Sequence, residues 1–247
     1  MLHRAIILAS MLHRAIILAL LLWAGCGSCI NAAETPDPAG IMQTVMASLR
    51  AAASYARTSN LALAQVELGD ARGAWDSWLS SFSDRPAPYS SSALHNLLIA
   101  EKDNLARASD ALRAGDGSGA TSEILALRRS IRELRREAGL FELNDCVFDL
   151  AAPMEQLRSA AVRFGEAKAG AEEVKTVGVA LRDHLQRCNG LASPEIASEA
   201  EFRRLMDGAI SSAGEIGSAA TAGDAGLVHR YQIELQSFVN LLDFRFG

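Results

Sequence analysis

Ala108–Leu134 reads ASDALRAGDGSGATSEILALRRSIREL, and Gly217–Phe244 reads GSAATAGDAGLVHRYQIELQSFVNLLDF. In each, a helix-forming run stops at a Gly-Asp pair, Gly115-Asp116 or Gly223-Asp224, and a second helical run follows, in the first case from Thr121-Ser122. Counted from each Asp, Leu125 falls on Ile233, Leu127 on Leu235, Ile131 on Val239 and Leu134 on Leu242. Apolar residues that match at helical steps are the mark of one helical unit copied, with two helical halves packed in tandem. Chance is the competing explanation, because helix-Gly-Asp-helix corners are common.

The rest of the chain fits this reading. Its 247 residues suit one large or two modest domains, long enough to bury a core. The composition is rich in Ala, Leu, Ser and Arg, and no stretch alternates as a strand would, so the expected class is all-α. The net charge of −5 disfavours nucleic acid as a partner, since phosphate binding needs surplus Lys and Arg.

At the N-terminus MLHRAIILA occurs twice, at Met1–Ala9 and Met11–Ala19, which makes Met11 a candidate start. From Met11 a short basic stretch, an apolar run and small polar residues follow in the order of a secretory signal, with a cleavage point at Asn31-Ala32-Ala33 before Glu34. Leu22-Trp23-Ala24-Gly25-Cys26 also has the form of a lipoprotein signal, with Cys26 as the lipidated residue and Trp23 as a poor fit. The expected domains are therefore a signal peptide at 1–33, a first helical bundle at 34–140 and a second at 141–247. The expected location is the periplasm or the exterior, free or lipid-anchored, with membrane contact only through the signal or that anchor.

In the first half, helical spacing runs from Ile41 to Ala56 and again over Leu61–Leu68. Gly69 reads as a helix stop and Asp70 as the cap of a helix bearing Trp75, Trp78, Leu79 and Phe82, which read as core. A long helix is expected from Ser90-Ser91-Ser92 to Ala114, with Glu101 inside its apolar stripe, where a carboxylate needs a partner. The next helix sets Ile124, Leu127, Ile131 and Leu134 on one side and Arg128, Arg129, Arg132, Arg135 and Arg136 on another. Such an Arg face can hold anionic lipid, phosphate or an acidic partner; a solvated face, locally neutralised by Glu133 and Glu137, is the alternative.

In the second half, LFELNDCVFDL (Leu140–Leu150) intersperses apolar residues with Asn144, Asp145 and Asp149. Helices are expected from Pro153, over Ala171–Cys188, from Ser193-Pro194-Glu195 to Ala222, and at the C-terminus. With the signal removed, Cys146 and Cys188 are the remaining cysteines. In an exported chain such a pair is expected to join. His184 lies one turn before Cys188, which is also metal-ligand spacing, so disulfide, metal site and unpaired cysteine all stay open.

The end of the chain, FRRLMDGAISSAGEIGSAATAGDAGLVHRYQIELQSFVNLLDFRFG (Phe202–Gly247), resembles the last two helices of the periplasmic cytochrome c-prime four-helix bundles. Gly223-Asp224 matches that family's corner and Phe244-Arg245 its ending. The haem-attachment positions read Ser237, Asn240 and Leu241, so covalent haem does not carry over. Ala64–Leu134 bears a lesser likeness to the periplasmic helical domain of some bacterial iron permeases, without that domain's acidic and His ligands. No phosphate loop, His-Glu-x-x-His helix or nucleophile triad is apparent. His229 reads as a surface residue, and Met42, Met46, Met154 and Met206 as core, although residues of their type could serve a non-covalent haem. The sequence thus predicts a non-catalytic envelope protein without a resident cofactor, a haem-free relative of cytochrome c-prime that binds a protein or small ligand. Non-covalent haem or iron binding is the alternative.

Overall fold

The computed structural model describes residues 38–81, 89, 91–167 and 170–247. The segment read as a signal, with Met11 and Cys26, and also Phe82 and Ser90, lie outside them. Every regular element among the described residues is a helix: α1 (Pro38–Arg57), α2 (Leu61–Ser81), α3 (Ser91–Ala100), α4 (Lys102–Arg113), α5 (Gly117–Glu137), α6 (Leu143–Phe148), α7 (Ala151–Ala167), α8 (Ala171–Gly190), α9 (Pro194–Ser198), α10 (Ala200–Thr221) and α11 (Ala225–Phe246). None of them is long and apolar enough to cross a membrane.

The buried side chains form two hydrophobic clusters within one compact unit, Ala39–Gly247. One draws on α1–α5 and the other on α6–α8, α10 and α11, and they divide between Leu140 and Leu143. The two Gly-Asp corners have the same backbone. Gly115 (φ 81°) and Gly223 (φ 72°) are left-handed, a conformation that a Cβ would strain. The next amide reaches back to Ala111 at the first corner and to Ala219 at the second, closing the helix end. Asp116 then accepts a bond from the Gly119 amide at 2.8 Å, and Asp224 from the Leu227 amide at 2.9 Å, each capping the next helix.

Burial repeats with the corners. At a spacing of 108 residues, Met46, Leu49 and Ala52 of α1 fall on Met154, Leu157 and Ala160 of α7, all buried. At the same spacing Leu98, Leu105, Ala108 and Leu112 fall on Met206, Ala213, Ile216 and Ala220, and Leu127, Ile131 and Leu134 on Leu235, Val239 and Leu242. Ala64, Leu68, Ala71, Trp75 and Trp78 of α2 match Val174, Gly178, Leu181, Leu185 and Cys188 of α8 at 110 residues, also all buried. Of the four pairs read from sequence, Leu125 and Ile233 lie off the buried face. Ile124 and Gln232 are the buried pair at that level.

Several helix boundaries differ from the sequence reading. Helix α5 starts at Gly117, capped by Asp116, rather than at Thr121-Ser122, and α7 starts at Ala151 rather than at Pro153. The chain breaks between α1 and α2, with Ser59 left-handed at φ 60°. Helix α2 runs unbroken through Gly69-Asp70, because its buried stripe from Ala64 to Trp78 outweighs the roughly 1 kcal/mol that Gly costs in a helix. The helix expected from Ser90 to Ala114 is interrupted at Glu101, although helical bonds still run into and out of that residue. The helix expected from Ser193 to Ala222 divides at Glu199, whose backbone is extended at ψ 125°. Pro153 sits in the first turn of α7, where its missing N–H has no helical partner to lose. His95 and His229 are exposed. Trp75 and Trp78 are core residues, and the Trp75 indole donates to the Leu98 carbonyl at 2.9 Å.

The two caps give a direct test of the matching corners. Asp116→Ala and Asp224→Ala should each destabilise the protein by about 1 kcal/mol. The aspartates share no partner, so the double variant should lose the sum, read from urea midpoints at constant slope.

Candidate functional site

The Arg-rich helix α5 does not present one five-residue face. Arg128, Arg132 and Arg135, spaced at helical steps, are held by acids of the second half. Arg128 is fully buried and makes a two-pronged pair with Asp243 of α11, at 2.7 and 3.2 Å. Its guanidinium also lies 4.6 Å from the Phe148 ring centre. Arg132 binds Asp149. Arg135 holds Asp145 from Nε at 3.0 Å and Glu142 from Nη2 at 2.8 Å, while its Nη1 donates to the Tyr89 hydroxyl at 3.3 Å. Burial opposes the Arg135 charge, but the hydrogen bond and charge of Asp145 more than offset it, and the pKa stands above the usual Arg value. Burial raises the pKa of Tyr89 against the pull of Arg135.

Arg129 and Arg136 are exposed, and Arg136 pairs with Glu133. The local neutralisation by Glu133 falls on Arg132 and Arg136, which share its carboxylate. The reading of Arg128–Arg136 as one docking face is therefore corrected: three of its cations join the halves and two face solvent. Asp243 is 115 residues from Arg128, so no local pattern could reveal that pair. Asp145 and Asp149 were visible as acids inside an apolar run, which was the available signal.

Charge accumulates around Asp243. Arg57 of α1 approaches it at 3.7 Å, and Tyr55 of α1 meets Phe244 of α11 edge to face with centres 6.1 Å apart. Burial, and then the nearby Arg128 charge, push Arg50 down to about 10, against the opposing effect of Asp243. It stays charged at neutral pH. Two cations thus pair with one carboxylate, and a third, Arg50, feels its charge.

The cysteines lie on α6 and α8 at disulfide distance, Cα to Cα 5.4 Å, and both are buried. The bond closes a separation of 42 residues. Short α6 is set by a capping box in which Asp145 accepts from the Glu142 amide at 3.0 Å, so the Arg135–Asp145 pair also fixes Cys146. His184, one turn before Cys188, brings its imidazole against the pair. The donor atoms of Cys146, His184 and Cys188 lie within 4.8 Å of one another. Burial, with Arg187 adding to it and Asp149 opposing, lowers the His184 pKa and favours the neutral ring.

A cleft of about 620 Å³ opens at the first corner, between the α1–α2 break and the start of α5. Its lining includes the apolar Leu61 and Leu125, the hydroxyl-bearing Ser59, Ser118 and Ser122, and one charged residue, Arg57. Glu101 is buried as the stripe implied, and its carboxylate accepts a hydrogen bond from Asn104, one turn on. The positions that carry haem in the c-prime pattern, Ser237, Asn240 and Leu241, are exposed. The fold and site thus define an all-helical bundle protein with a buried cysteine pair at disulfide distance. No protein-family model, curated protein or solved structure matches the chain.

Proposed function

We propose that this is an exported, non-catalytic protein of two tandem antiparallel four-helix units, a haem-free relative of the cytochrome c-prime bundles, that binds a small ligand or a protein in the cell envelope. The observation that carries the reading is the repeated burial of the two halves at a nearly constant spacing, with the same Gly-Asp corner in each. It supports one copied helical unit, arranged as α1, α2, α4 and α5, then as α7, α8, α10 and α11. The joined cysteines support export, because such bonds persist in oxidising compartments. The cleft with Arg57 in its lining supports a small ligand bearing an acidic or strongly accepting group.

Native mass spectrometry and an absorption spectrum of protein purified from its exported form test this reading together. The expected mass begins at Glu34 and includes one disulfide and a bound small molecule that Arg57→Glu releases. A mass beginning at Cys26 with lipid would replace cleavage by anchoring. A Soret band would transfer the assignment to the haem reading, and a full-length chain recovered from the cytosol would end the proposal.

The solvent-facing remnant of the Arg face has its own test. Arg129→Glu with Arg136→Glu should abolish binding to vesicles containing anionic lipid if that surface docks there, at about 1 kcal/mol per charge. Unchanged vesicle binding by the folded double variant would assign both residues to solvation alone.

A further inference from the structure

Cys146, His184 and Cys188 bring two sulfurs and an imidazole to one point. We propose that reduction of the Cys146–Cys188 bond converts this point into a binding site for a thiophilic divalent cation of the zinc type. The two thiolates and His184 are its protein ligands, and water takes the fourth place. Geometry is the first reason. Tetrahedral zinc with bonds of about 2.3 Å to sulfur and about 2.0 Å to nitrogen sets its donors roughly 3.5–3.8 Å apart. The donors here fall within 4.8 Å, so separation of the sulfurs and a small approach by the imidazole complete the set.

The framework is the second reason. His184 and Cys188 share one face of α8, and the Arg135–Asp145–Glu142 network holds Cys146 on α6. Those contacts do not depend on the S–S bond. Both sulfurs are buried, whereas His184 is half-buried and leaves an approach past its ring. A neutral imidazole is the ligating form. In the first half, the positions matching His184 and Cys188 are Ala74 and Trp78, so the donor set belongs to the second half.

The chemistry balances with a dithiol donor as reductant. One donor thiolate attacks a cysteine sulfur, the S–S bond opens, and a mixed disulfide forms. The donor's second thiol then displaces the remaining cysteine. Two electrons and two protons have moved to the protein, and the donor leaves as a disulfide. When the cation binds, the two thiol protons go to solvent. A disulfide compound restores the bond by the reverse exchange: it takes the two electrons, leaves as a dithiol with two protons from solvent, and the cation is released. Disulfide and metal are thus mutually exclusive, and occupancy reports the redox state.

The test uses the full chain, reduced with a phosphine and freed of reductant without air, titrated with Co(II) and then Zn(II). The expected result is one equivalent of Co(II), with thiolate-to-cobalt charge-transfer absorption that Zn(II) displaces. The oxidised protein should take up none under the same conditions. Reduced His184→Gln should bind at least tenfold more weakly, a loss at the low end of that for disturbed metal sites. Should reduction unfold the second half, Zn(II) should restore the helical circular dichroism. A reduced, helical protein without uptake, metal that fails to refold an unfolded one, or equal binding by His184→Gln would each overturn the proposal. None of these outcomes bears on export or on the cleft.

Discussion

Asp243→Asn should destabilise the protein by about 3–5 kcal/mol, the range for removing one partner of a buried ion pair. Arg128 is fully buried, and its two Asp243 bonds are the compensation for bringing that charge out of water. Without the carboxylate, Arg128, Arg50 and Arg57 would face one another with no anion among them. The Arg50 pKa, already pushed down to about 10, should fall further. The cost should register as a lower urea midpoint, and because the pair joins the halves, the unfolding transition should broaden or divide. Arg128→Met combined with Asp243→Leu should recover most of the loss, since an apolar pair of similar volume leaves no charge unpaired. A cycle in which Asp243→Asn is neutral would show that solvent reaches Arg128 and would remove this account of the joint.

Cys146→Ala with Cys188→Ala should cost about 4 kcal/mol in the chain-entropy model for a loop of this length. The loss should concentrate in the second half. The bond ties α6 to α8 there, whereas in the first half the place matching Cys188 is held by buried Trp78, which forms no covalent link. Amide exchange on α6–α8 should therefore quicken far more than on α1–α5. Equal acceleration in both halves would mean that the two cores unfold as one unit. Chemical reduction of the natural protein should reproduce the variant's midpoint in the absence of metal.

The sequence by itself determined the all-helical class, the main helices and the two Gly-Asp corners. These features arise from local rules: apolar residues at helical steps, Gly where the backbone turns left-handed, and Asp able to cap the next helix. It also nominated Cys146 and Cys188, because a short census of cysteines leaves few pairings. The tertiary structure alone decided the fate of the α5 arginines. On a helix, Arg128 and Arg129 look alike; only the arrival of α11 buries the first against Asp243 and leaves the second in solvent. It also decided that α2 continues through Gly69, since the favourable burial of Ala64–Trp78 on neighbouring helices exceeds a local propensity penalty. The placement of His184 against both sulfurs depends in the same way on how α6 packs across α8. Local preference sets where the helices run. Which charges are desolvated, and which donors meet, is set by surfaces far apart in the chain.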